Sequence, residues 1–140
     1  MTAPNTAPHG STFATTPVWR VGAAASIVAA VATTLFAVAA RAIDVPLEIE
    51  DERIPSLGFA FLTLLWSVVG IILAVVLARK AKRPARTFLV TTVALTVLSF
   101  VPIVTADATT ATQVTLALSH LLAAAIVIPA LAARLSHAAR

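Results

Sequence analysis

The chain has 140 residues, 59% of them hydrophobic and 11% charged, with ten Lys and Arg, six Asp and Glu, a net charge of +4 and a mean hydropathy of +0.97. A soluble domain carries roughly 25% charged residues, so the length allows one domain and the apolar excess makes the bilayer its solvent. With no cysteine, disulfides, thiol catalysis and cysteine metal sites are excluded.

Residues Met1 to Pro17 are rich in Ala, Pro, Thr and Ser, carry no charged side chain and lack apolar periodicity. They predict a disordered tail, in which His9 has no role. The first apolar segment runs from Val21 to Ala40. Twenty helical residues span about 30 Å, the thickness of the hydrocarbon core. Trp19 and Arg20 open it as an interfacial aromatic and a positive anchor. Ala37-Val38-Ala39 resembles a signal-peptidase site, but the stretch exceeds the usual h-region of about 7–15 residues and its leading region has one charge. The segment is therefore expected to stay in the mature protein as a span.

Arg41 to Pro55 holds five of the six acidic residues, interleaved with Ile43, Val45, Leu47, Ile49 and Ile54. Leu47-Glu48-Ile49-Glu50 alternates with period two, which allows a short extended piece. Pro46 and Pro55 exclude a long helix. The carboxylates Glu48, Glu50, Asp51 and Glu52 lack the spacing of a Ca²⁺ loop, so they predict a solvated acidic face balanced by Arg41 and Arg53.

The second segment is Leu57–Ala78, with Trp66 near its middle. The third is Thr87–Thr105, with Pro102 near its end. The fourth is Gln113–Ala133, with Pro129 toward its end. Between the second and third lies Arg79-Lys80-Ala81-Lys82-Arg83-Pro84-Ala85-Arg86, half of all positive charge in eight positions. Such a cluster must sit in water or at headgroups, and positive loops stay cytoplasmic. Both termini then lie inside with Arg20, Arg134 and Arg140, leaving only Arg41 and Arg53 outside. Eight basic residues against two predict a plasma-membrane protein with four spans in an up-down bundle and both termini cytoplasmic. The same distribution removes nucleic acid as the reason for the net charge. It makes anionic inner-leaflet lipids the expected partner of Arg79, Lys80, Lys82, Arg83 and Arg86.

Stripes of small or hydroxylated residues recur at helical spacing: Gly22, Ser26, Ala30 and Thr34; Thr63, Ser67, Gly70 and Ala74; Thr92, Thr96 and Ser99. Membrane helices approach one another through such residues, so these are expected packing faces. In the fourth segment Thr109, Gln113, Ala117, His120, Ala124 and Val127 share a face. His120 lies about 4–5 Å from the bilayer centre, where an ionisable side chain is a candidate functional group. Its structural reading is a neutral imidazole bonded to a Ser or Thr of a neighbouring helix. Its functional reading is a proton acceptor or ligand facing the bundle interior, with Asp107 or Asp44 above it.

No second His stands at metal-ligand spacing, and there is neither an H-E-x-x-H pattern nor a phosphate-binding glycine loop. Ser119 neighbours His120 but points about 100° away on a helix, so the two cannot form a nucleophile–base pair. No cofactor is implied. Three functional classes follow. The first is a non-enzymatic bundle packing with itself or a membrane partner. The second is a small proton-linked transporter or channel using the Thr109–Gln113–His120 stripe. The third is an envelope enzyme on a lipid-linked substrate, with Asp44 and Asp107 as acid and base.

Four features together resemble a family of uncharacterised four-helix membrane proteins found in actinobacteria, a domain of unknown function. They are Trp19-Arg20 opening the first segment, Asp44 just past it, Pro102 closing the third, and Leu118-Ser119-His120-Leu121-Leu122-Ala123-Ala124-Ala125 leading to Pro129-Ala130-Leu131-Ala132. The likeness covers about residues 18–135. It implies the four-helix architecture and a shared His, and no activity.

Overall fold

A computed structural model describes residues 16–138. The N-terminal segment with His9, and Arg140, fall outside these. The elements are α1 (Val18–Ala42), β1 (Glu48–Ile49), β2 (Glu52–Arg53), α2 (Ser56–Lys80), α3 (Pro84–Leu98), α4 (Phe100–Thr105) and α5 (Thr110–Ala138). Four helical stretches are long and apolar enough to cross a membrane: α1, α2, α3 with α4, and α5. Each runs past its apolar segment, because headgroup residues continue the backbone hydrogen bonding that hydrocarbon demands of the span.

The bundle is up-down-up-down. Helix α1 packs extensively on α2 and α5, and α3 packs on α5 and, more lightly, on α2. The basic loop is shorter than its charge run. Arg79 and Lys80 form the last turn of α2, and Pro84 starts α3 in the position where a missing N–H costs nothing. Only Ala81, Lys82 and Arg83 connect the two helices.

The core has two parts. At the end bearing the basic loop, Ala29, Ala74, Phe88, Val127, Leu131 and Leu135 meet, with Phe88 the largest fully buried side chain. At the other end Ala37, Ala40, Leu47 and Phe59 form a second cluster, to which α3 and α4 contribute nothing. The half bearing the basic loop is thus a four-helix junction, whereas the core of the other half is built without the third span.

Gly22 permits the tightest approach. A Cβ placed there would stand 2.5 Å from Ile71 Cγ1 and 3.1 Å from Leu131 Cδ2, so α1, α2 and α5 converge on its missing side chain. Ser26, Ala29, Ala30, Thr33, Ala37 and Ala40 continue this buried face. The buried hydroxyl is Thr33, bonded to Thr63 at 3.0 Å, where spacing alone nominated Thr34. Thr34 instead returns its hydroxyl to the Ala30 carbonyl at 2.7 Å. On α2 Ser67 and Ala74 are buried as expected, but Gly70 faces open space, with nothing within 4 Å of where its Cβ would be.

Two prolines shape the spans. Pro102 has no N–H for the Leu98 carbonyl, and its ring crowds that turn. The third span is one membrane-long helix as expected, Pro84–Thr105, with a single turn residue, Ser99, between α3 and α4 whose backbone stays in the right-handed helical region. Pro129 stands inside α5 without ending it.

The loop between α1 and α2 folds as a hairpin. Glu48 pairs with Arg53 and Ile49 with Glu52 around a two-residue turn. Glu50 and Asp51 form that turn with φ of 52° and 62°, the left-handed geometry that the twist of a tight hairpin selects. Each non-glycine residue there costs about 1–2 kcal/mol. The Glu50 N–H bonds the Asp107 carbonyl at 2.9 Å, and buried Leu47 anchors the base of the hairpin. The acidic face is balanced only by Arg53, 3.6 Å from Glu48. Arg41 does something else: it donates to the Ile54 carbonyl and to Ser56 Oγ, clamping the end of α1 to the start of α2.

Candidate functional site

Ser99, the turn residue between α3 and α4, makes a polar contact inside the bundle. Its side chain reaches α5, and its Oγ lies 2.7 Å from His120 Nε2. The same Oγ lies 2.6 Å from the Thr96 carbonyl. A serine hydroxyl has one proton and two lone pairs. With that proton on the carbonyl, the Nε2–H of a neutral imidazole donates to Ser99, and all three groups are satisfied. Phe100 covers the imidazole edge-on, with ring centroids 6.1 Å apart and planes at 70°. This is the kind of interhelical bond that the structural reading of His120 describes.

Gln113 and Thr109 do not extend this contact into a stripe. Gln113 Nε2 donates to the Ala106 carbonyl at 3.0 Å, closing the connector between α4 and α5. Thr109 accepts from the Thr112 N–H at 3.2 Å, the bond of a helix N-cap. Each group is spent locally. His120 sits ten residues into α5, about 15 Å from its outer end at 1.5 Å per residue. Its side-chain partner is Ser99, while Asp44 and Asp107 are both exposed in the outer connectors. Asp44 has φ 62°, a left-handed position that its short polar side chain tolerates.

The buried polar residues of α5 are a different set. Thr112, Thr115 and Ser119 are buried on the face that follows them at steps of three and four. Thr115 returns its hydroxyl to the Ala111 carbonyl at 2.8 Å and Ser119 to the Leu116 carbonyl at 2.9 Å. Sequence reading missed this face. Its signal was present in the spacing, but it competed with Thr109, Gln113 and His120, which occupy a sector about 100° away.

The end of the bundle bearing the hairpin holds a concavity of about 150 Å³ lined by Glu48, Asp51, Asp107 and Thr109 among others. Among the described residues no three His, Asp or Glu side chains are disposed to hold a metal ion. On the opposite surface Arg79, Lys80, Lys82, Arg83 and Arg86 are all exposed. Among the described residues the sole ion pair is Arg53–Glu48, and no carboxylate pairs with these five cations. Every acidic side chain lies in the α1–α2 or α4–α5 connector, at the other end of the bundle.

Removal of either partner of the Ser99–His120 bond is expected to lower stability modestly. Such bonds between membrane helices contribute about 0.6–2 kcal/mol. Ser99→Ala and His120→Ala should each lower the melting temperature in mild detergent, and the double variant should melt close to the worse single one. Additive losses would show that the two side chains act separately.

Four long apolar helices with short connectors define a multi-pass helical membrane protein. The chain belongs to a family of unknown function, DUF6069, whose model matches residues 13–137. No curated protein and no solved structure matches it.

Proposed function

We propose that this protein is a non-enzymatic bundle of the cytoplasmic membrane whose α2 surface receives a second membrane helix, from another copy of the chain or from a larger membrane partner. The basic loop and both termini face the cytoplasm in this reading, and the five exposed cations contact anionic inner-leaflet lipids. The observation that carries it is the open position of Gly70. Small residues in membrane helices mark close approach of another backbone, since lipid offers no other drive for association. Gly70 has no such neighbour within its own chain. One turn earlier on the same face Trp66 is 63% exposed near the middle of the span. Tryptophan belongs at membrane interfaces, and its indole N–H finds no water in hydrocarbon. A partner helix lying across Gly70 covers both.

The satisfied Ser99–His120 contact supports a packing role for the histidine over a proton path, and Asp44 does not line the concavity to which Asp107 contributes. The test uses the natural absence of cysteine. Single cysteines at Leu62, Trp66 and Val69 should give disulfide-linked dimers in native membranes, while one at Val90 on α3 should not. Native mass spectrometry should show a dimer or a co-purifying membrane protein, lost in Gly70→Leu. A strict monomer with no co-purifying protein would overturn the proposal.

A further inference from the structure

We propose that the groove between α3 and α5 is a binding site for one anionic phospholipid, with an acyl chain along the groove and the phosphate at Arg86. It deepens the lipid contact proposed for the basic loop, and it rests on that reading.

The groove measures about 370 Å³ and opens sideways from the bundle. Val93 and Val97 line it on α3, Phe100 at the start of α4, and Leu121, Ala125 and Ile128 on α5. Its walls are almost wholly apolar, so what fills it is hydrocarbon. Arg86, Val93 and Phe100 are spaced by seven residues, two helical turns, which keeps them on one face of the third span with a drift of about 20° per step. Arg86 therefore stands in line with the groove, about 10 Å toward the basic end from Val93. An arginine at that depth extends its guanidinium to the headgroups while its stem lies along hydrocarbon.

Charge selects the headgroup. Arg83 caps α3 and Arg86 lies in its first turn, which contains no acidic residue. The N-terminal end of a helix carries partial positive charge, so both cations sit at an electrostatically adverse place. All six acidic side chains are at the other end of the bundle. Among the described residues no carboxylate pairs with these cations, which leaves them open to an anion from the membrane. In the membrane, beside an apolar groove, that anion is a phospholipid phosphate, which a guanidinium grips with two parallel hydrogen bonds.

The test is native mass spectrometry of the full chain in mild detergent, after delipidation and titration with phosphatidylglycerol or phosphatidylcholine of identical acyl chains. One phosphatidylglycerol per chain should be retained in preference to phosphatidylcholine. Arg86→Gln should weaken retention about five- to tenfold, the loss of one basic contact at the surface. Ala125→Phe, at an exposed position, should do the same by filling the groove. Arg79→Gln with Lys80→Gln should leave retention within about twofold, since neither residue is aligned with the groove. Equal losses in the Arg79/Lys80 and Arg86 variants would overturn the site while leaving a diffuse lipid contact. No preference for phosphatidylglycerol in the unmodified protein would overturn both. A change of oligomeric state in Ala125→Phe, with lipid retention unaltered, would make the groove a protein interface and overturn the site.

Discussion

Replacing Arg79, Lys80, Lys82, Arg83 and Arg86 by Gln is expected to give mixed or inverted insertion. The substitutions leave three basic residues, Arg20, Arg134 and Arg140, on the proposed cytoplasmic side against Arg41 and Arg53 on the other. Orientation follows the asymmetry of Lys and Arg in short loops, and three against two is nearly no asymmetry. The five substituted residues are exposed and make no ion pair among the described residues, so the described bundle loses no salt bridge by their neutralisation. A fusion at the C-terminus reads the outcome: fluorescence reports the cytoplasm and phosphatase activity the outside. The unmodified protein should be fluorescent only, and the Gln variant should show substantial activity of both kinds. Phosphatase activity in the unmodified protein would reverse the proposed orientation.

The second large effect is Gly22→Leu, which should abolish the folded bundle, whereas Gly70→Leu should leave it folded. At Gly22 the first added carbon already collides with Ile71 at 2.5 Å, and Leu131 stands opposite at 3.1 Å. Overpacking a filled core costs about 1–3 kcal/mol, and here it pushes α1 away from two helices at once. The loss spreads along Ser26, Ala30 and Thr33, including the Thr33–Thr63 bond. Ile71→Ala should restore part of the folded protein by vacating the colliding volume. At Gly70 the same side chain enters open space, so the melting temperature in detergent should stay close to that of the unmodified protein. Only association should suffer. Equal loss of folded protein in both variants would show that Gly70 is also buried, and the proposed α2 surface would go with it.

Much of the architecture was legible before any coordinates. Hydrocarbon leaves a backbone no option but helix across its full thickness, so each long apolar run determined a span. Charge is expelled from the same region, so Arg79–Arg86 and Arg41–Pro55 had to be connectors. Alternation at Leu47–Glu50 marked the strand Glu48–Ile49, and the hydroxyl stripes anticipated a Ser or Thr partner for His120. These readings share one cause: they depend on the boundary between water and lipid, which composition reports directly.

What composition cannot report is which side of a span meets protein and which meets lipid, because both are apolar. In a soluble helix the polar face marks itself; in α5 the buried face carries Thr112, Thr115 and Ser119 and the face toward α3 carries His120. Gly22 and Gly70 stand in stripes of the same kind, four or three residues from their neighbours, yet one is the tightest contact of the bundle and the other is open. Pro102, read as lying near the end of a segment, withholds an N–H from Leu98 without ending the span, and Ser99 in that turn meets His120. Spacing along a helix determines which residues share a face. Only the approach of the other helices, set by the three-residue turn at Ala81–Arg83, the Arg41 clamp and the convergence on Gly22, decided which faces touch.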